Sequence, residues 1–281
     1  METIYINTDN LADWQEKAKA CVMALGFFDG LHYGHREVIK TALRKAKEKG
    51  VSLAVMSFFP HPKSVLSNGE KKIDYLMPPS VKERILRELG VDTFYIAQFN
   101  KEFASLSPEQ YVRDYLVKLG VIHAVAGFDF SYGSRGIGNL ERLKRDSGGI
   151  IDVTKVEKVM CRGEKISSTS IRERLTAGNV EELSDFLGRC YEVECKWDGQ
   201  SFNLKPYYTL PAPGYYTVTI NKGNLSKRAE VMVAEGNQGK LLKPVTELQS
   251  YLIGEINVVW HNRNASNTPD IRNILTVGGS N

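Results

Sequence analysis

The segment from Gly26 to His35 reads GFFDGLHYGH, and it joins the apolar run CVMAL at residues 21–25 to a helical pattern at residues 37–49. A buried strand followed by a glycine-rich loop and a helix is typical of open parallel sheets, where ligands gather at the carboxyl ends of the strands. Glycines let the main chain come close to a ligand, and the helix N-terminus offers N–H groups to a phosphate. The segment therefore predicts a phosphate-binding loop at the edge of a parallel sheet.

His32 and His35 stand three residues apart, directly after the glycines of this loop. The spacing places both imidazole rings near the first turn of the helix, where they can donate hydrogen bonds to a triphosphate and stabilise the charge of a departing phosphate group. A single histidine at such a position is more often a structural residue. Two histidines in HxGH spacing after a glycine-rich loop favour a functional role.

The same order of strand and helix continues along the chain. Apolar runs that predict buried strands lie at residues 51–58, 93–97 and 121–127, and helical patterns lie at residues 80–89 and 108–119. Buried strands that alternate with helices predict a parallel sheet covered on both faces. We therefore expect a Rossmann-like α/β fold for the first part of the chain.

The pattern of the sequence changes near Leu187, where segments rich in β-branched and aromatic residues are separated by glycine and proline. Examples are YEVECKW and GYYTVTI, and such segments are typical of antiparallel strands with turns between them. We place a domain boundary after Gly188. Residues 1–188 are then the α/β domain, and residues 189–281 are a small antiparallel barrel or sandwich.

Composition places the chain of 281 residues among ordinary globular proteins, because 42% of its residues are apolar and 25% are charged. Its net charge of +4 comes from basic residues mixed with acidic ones, which favours an anionic small-molecule substrate over nucleic acid. We find neither a secretory leader nor a run of about 18 apolar residues, so we expect no membrane partner. The cysteines lack metal-binding spacing and predict free thiols in a cytoplasmic protein; they are Cys21, Cys161, Cys190 and Cys195.

The HxGH spacing of the two histidines resembles the signature of the nucleotidylyltransferase superfamily. The preceding GFFDGLH narrows the resemblance to bacterial FAD synthetases, the riboflavin kinase and FMN adenylyltransferase family. Further blocks follow in the order of that family: FFPHP at residues 58–62, FNKEFASLSPEQY at 99–111, GFDFSYG at 127–133 and ISSTSIR at 166–172. The resemblance implies an enzyme that transfers the AMP part of ATP to FMN and so makes FAD and pyrophosphate.

The resemblance also implies a set of site residues. Those expected to act in catalysis are His32, His35, Ser168, Thr169 and Arg172. Those expected to bind ATP are Gly26, Phe27, Phe28, Asp29, Gly30, His32, His35, Ser168 and Arg172. Those expected to bind FMN are Phe58, Pro60, His61, Pro62, Asp129 and Phe130. The FMN phosphate would attack the α-phosphorus of ATP in line, without a covalent intermediate, and Mg²⁺ would be held mainly by the nucleotide phosphates.

Several of these residues also have a purely structural interpretation. The hydroxyl groups of Ser168 and Thr169 lie where a helix begins, so they can cap that helix as well as meet a phosphate. Phe58 can be the buried end of a strand or a surface for the flavin ring. Aspartate is common in glycine-flanked turns for local reasons, and this applies to Asp129.

Two other functions are open from the sequence. A nucleotidylyltransferase that uses another phosphorylated acceptor would share HxGH, and a flavin-binding module without catalysis would share the aromatic blocks. The segments GFFDG, FFPHP and GFDFSYG favour FMN as the acceptor, and the presence of both histidines favours catalysis.

The second domain resembles the riboflavin kinase barrel of the family at PGYY, residues 213–216, and at YLIGEI, residues 251–256. The kinase site of that family uses a glycine-rich loop that leads to a GxPTxN segment. The corresponding stretch here, residues 196–210, reads KWDGQSFNLKPYYTL. One glycine, Gly199, cannot replace a phosphate-cradling loop, so we expect no riboflavin kinase activity.

Overall fold

The computed structural model of the chain describes residues 1–68, 70, 73–236 and 239–264. Residue contacts divide the chain into two compact units, the first ending at Ser168 and the second beginning at Thr169. The domain boundary after Gly188 stays a prediction. The last residues of the predicted second domain, 265–281, lie outside the described residues.

The first unit combines strands and helices in alternation. Its strands are β1 (Glu2–Ile6), β2 (Cys21–Leu25), β3 (Ser52–Phe59), β4 (Thr93–Gln98), β5 (Val121–Gly127), β6 (Ser131–Tyr132), β7 (Gly138–Asn139), β8 (Asp152–Val156), β9 (Met160–Cys161) and β10 (Glu164–Lys165). Its helices are α1 (Leu11–Glu16), α2 (Tyr33–Lys49), α3 (Pro62–Leu66), α4 (Pro79–Glu88), α5 (Lys101–Ser105), α6 (Pro108–Tyr111), a π-helix (Val112–Val117), a 3₁₀ turn (Ser134–Gly136) and α7 (Leu140–Asp146).

Six parallel strands of this unit form one sheet in the order β1-β4-β3-β2-β5-β8. The order reverses at β2, because β3 lies on one side of it and β5 on the other. A crevice opens at the carboxyl ends of two strands where a doubly wound sheet reverses in this way. The Rossmann-like fold predicted from the sequence is confirmed, and its switch point lies where the GFFDGLHYGH loop begins.

The central strands of the sheet are those that the sequence predicts best. All five residues of β2 are buried, because helices cover both faces of a parallel sheet. The sequence does not predict β1 or β8, which are the two edge strands of the sheet. Both have partly exposed positions, and Tyr5 in β1 is 57% exposed, so neither forms a continuous apolar run.

Two helices differ from their predicted forms. The helix expected from residue 37 begins four residues earlier, at Tyr33, with His32 as its N-cap, because the polar first turn has no apolar periodicity. The helix expected at residues 108–119 is α6 followed by a π-helix that begins at Val112. Short π-helical turns occur often near functional sites.

The second unit contains helices followed by an antiparallel sheet. Its elements are α8, which begins at the end of the first unit (Ser168–Ala177), a 3₁₀ turn (Val180–Glu182), α9 (Leu183–Leu187), β11 (Glu192–Trp197), β12 (Phe202–Leu204), β13 (Gly214–Lys222), β14 (Leu225–Gly236), β15 (Gly239–Pro244), a 3₁₀ turn (Ser250–Leu252) and β16 (Gly254–Arg263). The strands lie in the order β12-β11-β16-β13-β14-β15 and form a nearly closed barrel. The predicted antiparallel barrel-like domain is confirmed.

Alternation of buried and exposed residues explains this second sheet. Every second residue of β13 from Gly214 to Ile220 is buried, as expected for strands with one face toward a core. Trp260 of β16 packs edge-on against Tyr216 of β13 inside that core. All four cysteines are free thiols. Among the described residues, we find no helix with both the length and the apolar character needed to span a membrane.

Candidate active site

Loops at the carboxyl ends of β2 and β5 enclose a cavity of about 650 Å³. Leu25 and Ala126 are paired at the ends of these two strands, so the loops that follow them start side by side. The predicted site residues that line this cavity are Gly26, Phe27, Phe28, His32, His35, Phe58, His61, Pro62, Asp129, Phe130 and Ser168. The fold therefore brings together residues from four of the sequence blocks.

The two histidines of the HxGH motif stack on one another in the cavity wall, with their ring centroids 3.6 Å apart. His32 caps α2, because its Nδ1 accepts the main-chain N–H of His35 at 3.2 Å. In a neutral imidazole that accepts at Nδ1, the proton is on Nε2. The Nε2 atom of His32 is therefore a hydrogen-bond donor.

Burial keeps the His32 ring uncharged. The residue is only 5% exposed, and desolvation lowers its pKa to about 4, although the carboxylate of Asp129 opposes this shift. A histidine with a pKa this low is neutral at pH 7. A neutral imidazole can act as an electrophile that donates a hydrogen bond to developing negative charge.

The loop between β2 and α2 has an unusual backbone. Phe28 and Leu31 are buried and have φ angles of 55° and 43°, in the left-handed region that residues other than glycine rarely adopt. Such conformations persist only where the surrounding structure holds them, and they are common at ligand sites. The contacts that hold this loop therefore matter for the shape of the cavity.

Asp29 is one of the residues that hold the loop. Its buried carboxylate accepts the main-chain N–H of Leu76, at 3.1 Å from each oxygen, and its main-chain carbonyl accepts the hydroxyl of Ser168 at 2.8 Å. Neither Asp29 nor Gly30 is among the residues that line the cavity. Their direct contact with ATP stays a prediction.

Ser168 lines the cavity and is the first residue of α8. Thr169 and Arg172 follow on the same helix and belong to the second unit. Their contact with a phosphate stays a prediction.

Three lysines that the sequence does not single out also line this cavity: Lys63, Lys158 and Lys165. The ammonium of Lys165 donates to Oδ2 of Asp129 at 2.7 Å and lies 4.5 Å from the ring centroid of Phe128. The carboxylates of the cavity wall are those of Asp129 and Glu157, so lysines outnumber them, and a surplus of positive charge suits a polyphosphate. Lys63 lies in α3 and Lys165 in β10, so only the fold brings these lysines to one cavity.

A second cavity, of about 610 Å³, adjoins the first, since Phe58, Pro62 and Ser131 line both. Its wall is rich in aromatic side chains: Phe58, Phe99, Phe103, Tyr111 and Tyr132. The ring of Phe103 lies 5.5 Å from those of Phe58 and Phe99, between centroids. A concave aromatic wall of this kind suits a flat ring system.

Phe99 and Phe103 lie in the predicted block at residues 99–111 but were not predicted individually as site residues. The available signal is their spacing of four residues around Asn100, whose side chain caps α5 by accepting the N–H of Phe103. Phe99 precedes the N-cap and Phe103 lies in the first turn of α5, so the start of this helix brings the two rings together.

The residues predicted to bind FMN are divided between the cavities. The first cavity, with His32 and His35, is called the histidine cavity, and the second is called the aromatic cavity. Phe58 and Pro62 line both, whereas His61, Asp129 and Phe130 line only the histidine cavity. Pro60 lines neither of them and lies at a separate cavity of about 370 Å³ beside β1.

Tyr132 is fixed in the aromatic wall by a buried carboxylate. Its hydroxyl donates to Asp146 at 2.6 Å, and Asp146 also accepts from Nε of Arg142 at 2.8 Å. Burial, together with this carboxylate, raises the pKa of Tyr132, so the hydroxyl stays protonated. A Cβ atom at Gly138 would lie 2.5 Å from the Tyr132 ring, so only glycine allows this approach.

Within the part of the chain that the structure describes, no group of three or more His, Cys, Asp or Glu side chains is arranged to hold a metal ion. The carboxylate of Asp129, in the cavity wall, is paired with Lys165.

Comparisons with known proteins show the family to which this chain is similar. A model of the FAD synthetase family matches residues 14–170. The bifunctional riboflavin kinase/FMN adenylyltransferase of Listeria monocytogenes is 46% identical, over 69% of this chain and 62% of its own length. The enzyme of the same name from Bacillus subtilis is 44% identical, over 78% of this chain and 72% of its own length.

Two further proteins match over more of their own length. A protein named FAD synthetase from Listeria monocytogenes is 32% identical, over 79% of this chain and 91% of its own length. A crystal structure titled as a macrolide-efflux protein from Streptococcus pneumoniae is 26% identical, with a TM-score of 0.82, over 96% of this chain and 93% of that one. Both units of the fold therefore occur together in a solved structure.

Proposed function

Because this chain belongs to the FAD synthetase family, we propose that it transfers AMP from ATP to FMN, forming FAD and releasing pyrophosphate. The observation that carries this proposal is the stacked His32 and His35 pair in a cavity that shares Phe58 with an aromatic cavity. One cavity has the charge and donors of a polyphosphate site, and the other has the aromatic wall of a flavin site. The two reactants can therefore lie side by side.

ATP occupies the histidine cavity in this proposal. Its triphosphate lies at the N-terminus of α2, where the helix dipole and the Nε2–H of His32 favour negative charge. Positive charge is added by three lysines of the cavity wall, Lys63, Lys158 and Lys165. The binding of ATP is supported by this arrangement of donors and cations.

FMN occupies the aromatic cavity. Its isoalloxazine ring lies against Phe58, Phe99 and Phe103, and its phosphate points to the border that the two cavities share. Stacking and the exclusion of water would favour the ring in this position.

The reaction needs no protein nucleophile and no general base. A phosphate oxygen of FMN, already ionised at neutral pH, attacks the α-phosphorus of ATP as the bond to the β-phosphate oxygen breaks, and pyrophosphate leaves. His32 donates a hydrogen bond to a phosphate oxygen on which negative charge develops. Its stacked partner His35 is the second donor. Catalysis is then positioning of two bound substrates and stabilisation of charge.

Mg²⁺ enters with the nucleotide in this proposal. The described residues offer no cluster of metal ligands, so the ion is held by the phosphates of ATP and is part of the substrate. Mg²⁺ bound in this way neutralises part of the phosphate charge.

A flavin conversion assay tests the proposal. The protein is incubated with ATP and Mg²⁺ and with FMN, riboflavin or 4′-phosphopantetheine, and the products are separated by chromatography. We expect FAD and pyrophosphate from FMN and no adenylylated product from the other two. Binding of FMN without FAD formation would show a flavin-binding module, and adenylylation of phosphopantetheine would show a different acceptor.

A further inference from the structure

Lys82 is a buried lysine that the mechanism above does not use. It lies near the start of α4 and is 8% exposed. Its ammonium donates to the main-chain carbonyl of Phe27 at 2.8 Å and to the hydroxyl of Ser57 at 3.2 Å. The same ammonium lies 4.8 Å from the ring centroid of Phe27.

Ser57 completes a three-membered set of hydrogen bonds. Its hydroxyl donates to the Phe27 carbonyl at 2.8 Å and accepts from Lys82. The Phe27 carbonyl therefore receives one hydrogen bond from β3 and one from α4. Both donors lie on the side of the loop that faces the protein interior, since Ser57 and Lys82 are buried.

Burial of an ammonium group is unfavourable unless its partners compensate for the lost water. Desolvation lowers the pKa of Lys82 to about 8, and the carboxylate of Asp29 opposes this shift. Both Phe27 and Asp29 belong to the loop between β2 and α2. The partners of Lys82 are therefore two residues of this loop and Ser57 of β3, which itself donates to the loop.

The geometry of one peptide unit links Lys82 to the cavity. The cis peptide bond found among the described residues is Phe59–Pro60, so the bond between Phe27 and Phe28 is trans. In a planar trans peptide, the C=O and N–H groups point in opposite directions. Because the Phe27 carbonyl faces Lys82 and Ser57, the N–H of Phe28 points away from these two donors. Phe28 has the strained φ of 55°, so this peptide needs external contacts to keep its orientation.

We propose that Lys82 is a positioning residue that holds the Phe27–Phe28 peptide, and with it the GFFDG loop, in the conformation that accepts ATP. The role rests on the proposed adenylyltransferase function. Lys82 itself does not touch the nucleotide. Lys82 acts through its hydrogen bond to the carbonyl of Phe27. This bond keeps the Phe27–Phe28 peptide from rotating so that the carbonyl points into the cavity.

The main test is the variant Lys82→Met, which keeps the length of the side chain and removes its charge and donors. We expect kcat/KM for ATP to fall about 10- to 100-fold, as for a misplacement of a substrate-binding group, while the Kd for FMN stays within about twofold of wild type. The matched control is Arg87→Met, on the exposed face of the same helix, which should leave both values unchanged. Lys82→Met with wild-type ATP kinetics, or with equal loss of FMN and ATP binding, would overturn the proposal.

A second variant covers the case in which Lys82→Met does not fold. Ser57→Ala removes the other donor to the Phe27 carbonyl and leaves Lys82 in place. We expect a loss of about 3- to 10-fold in kcat/KM for ATP, with the Kd for FMN unchanged. Unchanged ATP kinetics in Ser57→Ala would overturn the proposal even without data on Lys82→Met.

The wild-type protein, assayed in parallel, separates the two levels of inference. If wild type forms no FAD, the proposed function is wrong, and the variants are then compared by ATP binding alone, where Lys82→Met should still bind more weakly. If wild type is active and either variant matches it, the role of Lys82 is wrong and the proposed function stands.

Discussion

His32 has two ring nitrogens with different surroundings, and two substitutions separate their effects. Nδ1 caps α2, whereas Nε2–H is the proposed donor to phosphate. We expect His32→Ala and His32→Asn both to lower kcat by about 10²- to 10³-fold, because both lose that donor. Only His32→Ala should lose about 1 kcal/mol of stability, since asparagine is a good N-cap. Kinetics and urea denaturation measure the two effects, and near-normal turnover of folded His32→Asn would remove His32 from the mechanism.

The low pKa of His32 also predicts how stability depends on pH. Its pKa is about 4 in the folded protein, below the ordinary value of 6.5, so between these values the unfolded chain binds a proton that the folded protein does not. The contribution of His32 to the free energy of unfolding therefore has its full value above pH 6.5. This contribution decreases as the pH drops toward 4, by up to about 3 kcal/mol. Urea denaturation at several pH values measures this. The His32→Asn variant should lack that part of the decline; equal declines in both proteins would contradict the prediction.

Residue patterns predicted much of the site, but only for side chains with a distinctive local context. His32, His35 and Phe58 are recognisable because glycines, prolines or a second histidine stand beside them. Lys158 and Lys165 have no such context, and Lys63, although it follows Pro62, is a lysine of a type that is usually solvated. Asp29 differs from these lysines, because it belongs to a motif and was expected to bind ATP. Its carboxylate instead accepts a hydrogen bond from the N–H of Leu76. The sequence identifies a motif, whereas the direction of each side chain depends on packing.

At the scale of single elements, α8 carries Ser168 and Arg172 four residues apart, on one helical face. A planar guanidinium can bridge two phosphate oxygens, whereas an ammonium is a point charge, so we expect Arg172→Lys to lower kcat/KM for ATP about tenfold or more. Arg174→Lys on the same helix is the matched control. Arg174 pairs with Glu182 and stacks on Phe186, so its loss should reduce stability and leave the kinetics unchanged. Wild-type kinetics of Arg172→Lys would show that Arg172 has a structural role only.

The short helix α5 supplies Phe103 to the aromatic cavity. Phe103→Leu keeps an apolar side chain but removes the ring, so we expect KM for FMN to rise about tenfold through loss of aromatic contact, with KM for ATP unchanged. Trp14→Leu is the control, because Trp14 packs against the same core but lines neither of these two cavities. Steady-state kinetics with each substrate varied in turn measure both effects. An unchanged KM for FMN in Phe103→Leu would place the flavin elsewhere.

Elements in the middle of the sheet were predictable and edge elements were not. The run CVMAL forms β2 with its predicted bounds, because burial on both faces requires apolar residues at every position. The edge strands β1 and β8 need fewer apolar residues. The apolar pattern of the π-helix after Tyr111 cannot be distinguished in the sequence from that of an α-helix. Local patterns therefore predict an element best where burial on both faces restricts the residue types that it can contain.

At the scale of the whole molecule, the order of the strands explains why distant sequence blocks form one site. The GFFDGLHYGH loop follows β2 and the GFDFSYG block follows β5, and these strands are neighbours although about a hundred residues separate them in the chain. Reversal of strand order at β2 opens the crevice into which both loops project. The sequence predicted the parallel sheet, but the pairing of β2 with β5, and hence the meeting of the two loops, required the structure.

The stretch expected from the sequence to correspond to the kinase site, residues 196–210, contains a tight turn between β11 and β12. Between β11 and β12, the carboxylate of Asp198 accepts the main-chain N–H groups of Gln200 and Ser201 at 2.8 and 2.7 Å. These bonds hold the pKa of Asp198 well below its usual range, so the carboxylate stays ionised. The N–H groups that could bind a phosphate are therefore occupied by a fixed negative charge, which also repels a phosphate.

We therefore expect that this protein leaves riboflavin unchanged in the presence of ATP and Mg²⁺. FMN made from riboflavin by wild type would pass on to FAD, so the assay includes His32→Asn, in which the adenylyl transfer is slow and any FMN would accumulate. Chromatography should show only riboflavin with both proteins, while wild type converts added FMN in the same reaction mixture. Although Asp198 occupies the N–H groups of the turn, Asp198→Ala alone should not create activity, because the PTxN segment is still missing from residues 196–210. ATP-dependent loss of riboflavin, above that of a mock preparation without the protein, would show that the barrel is a working kinase.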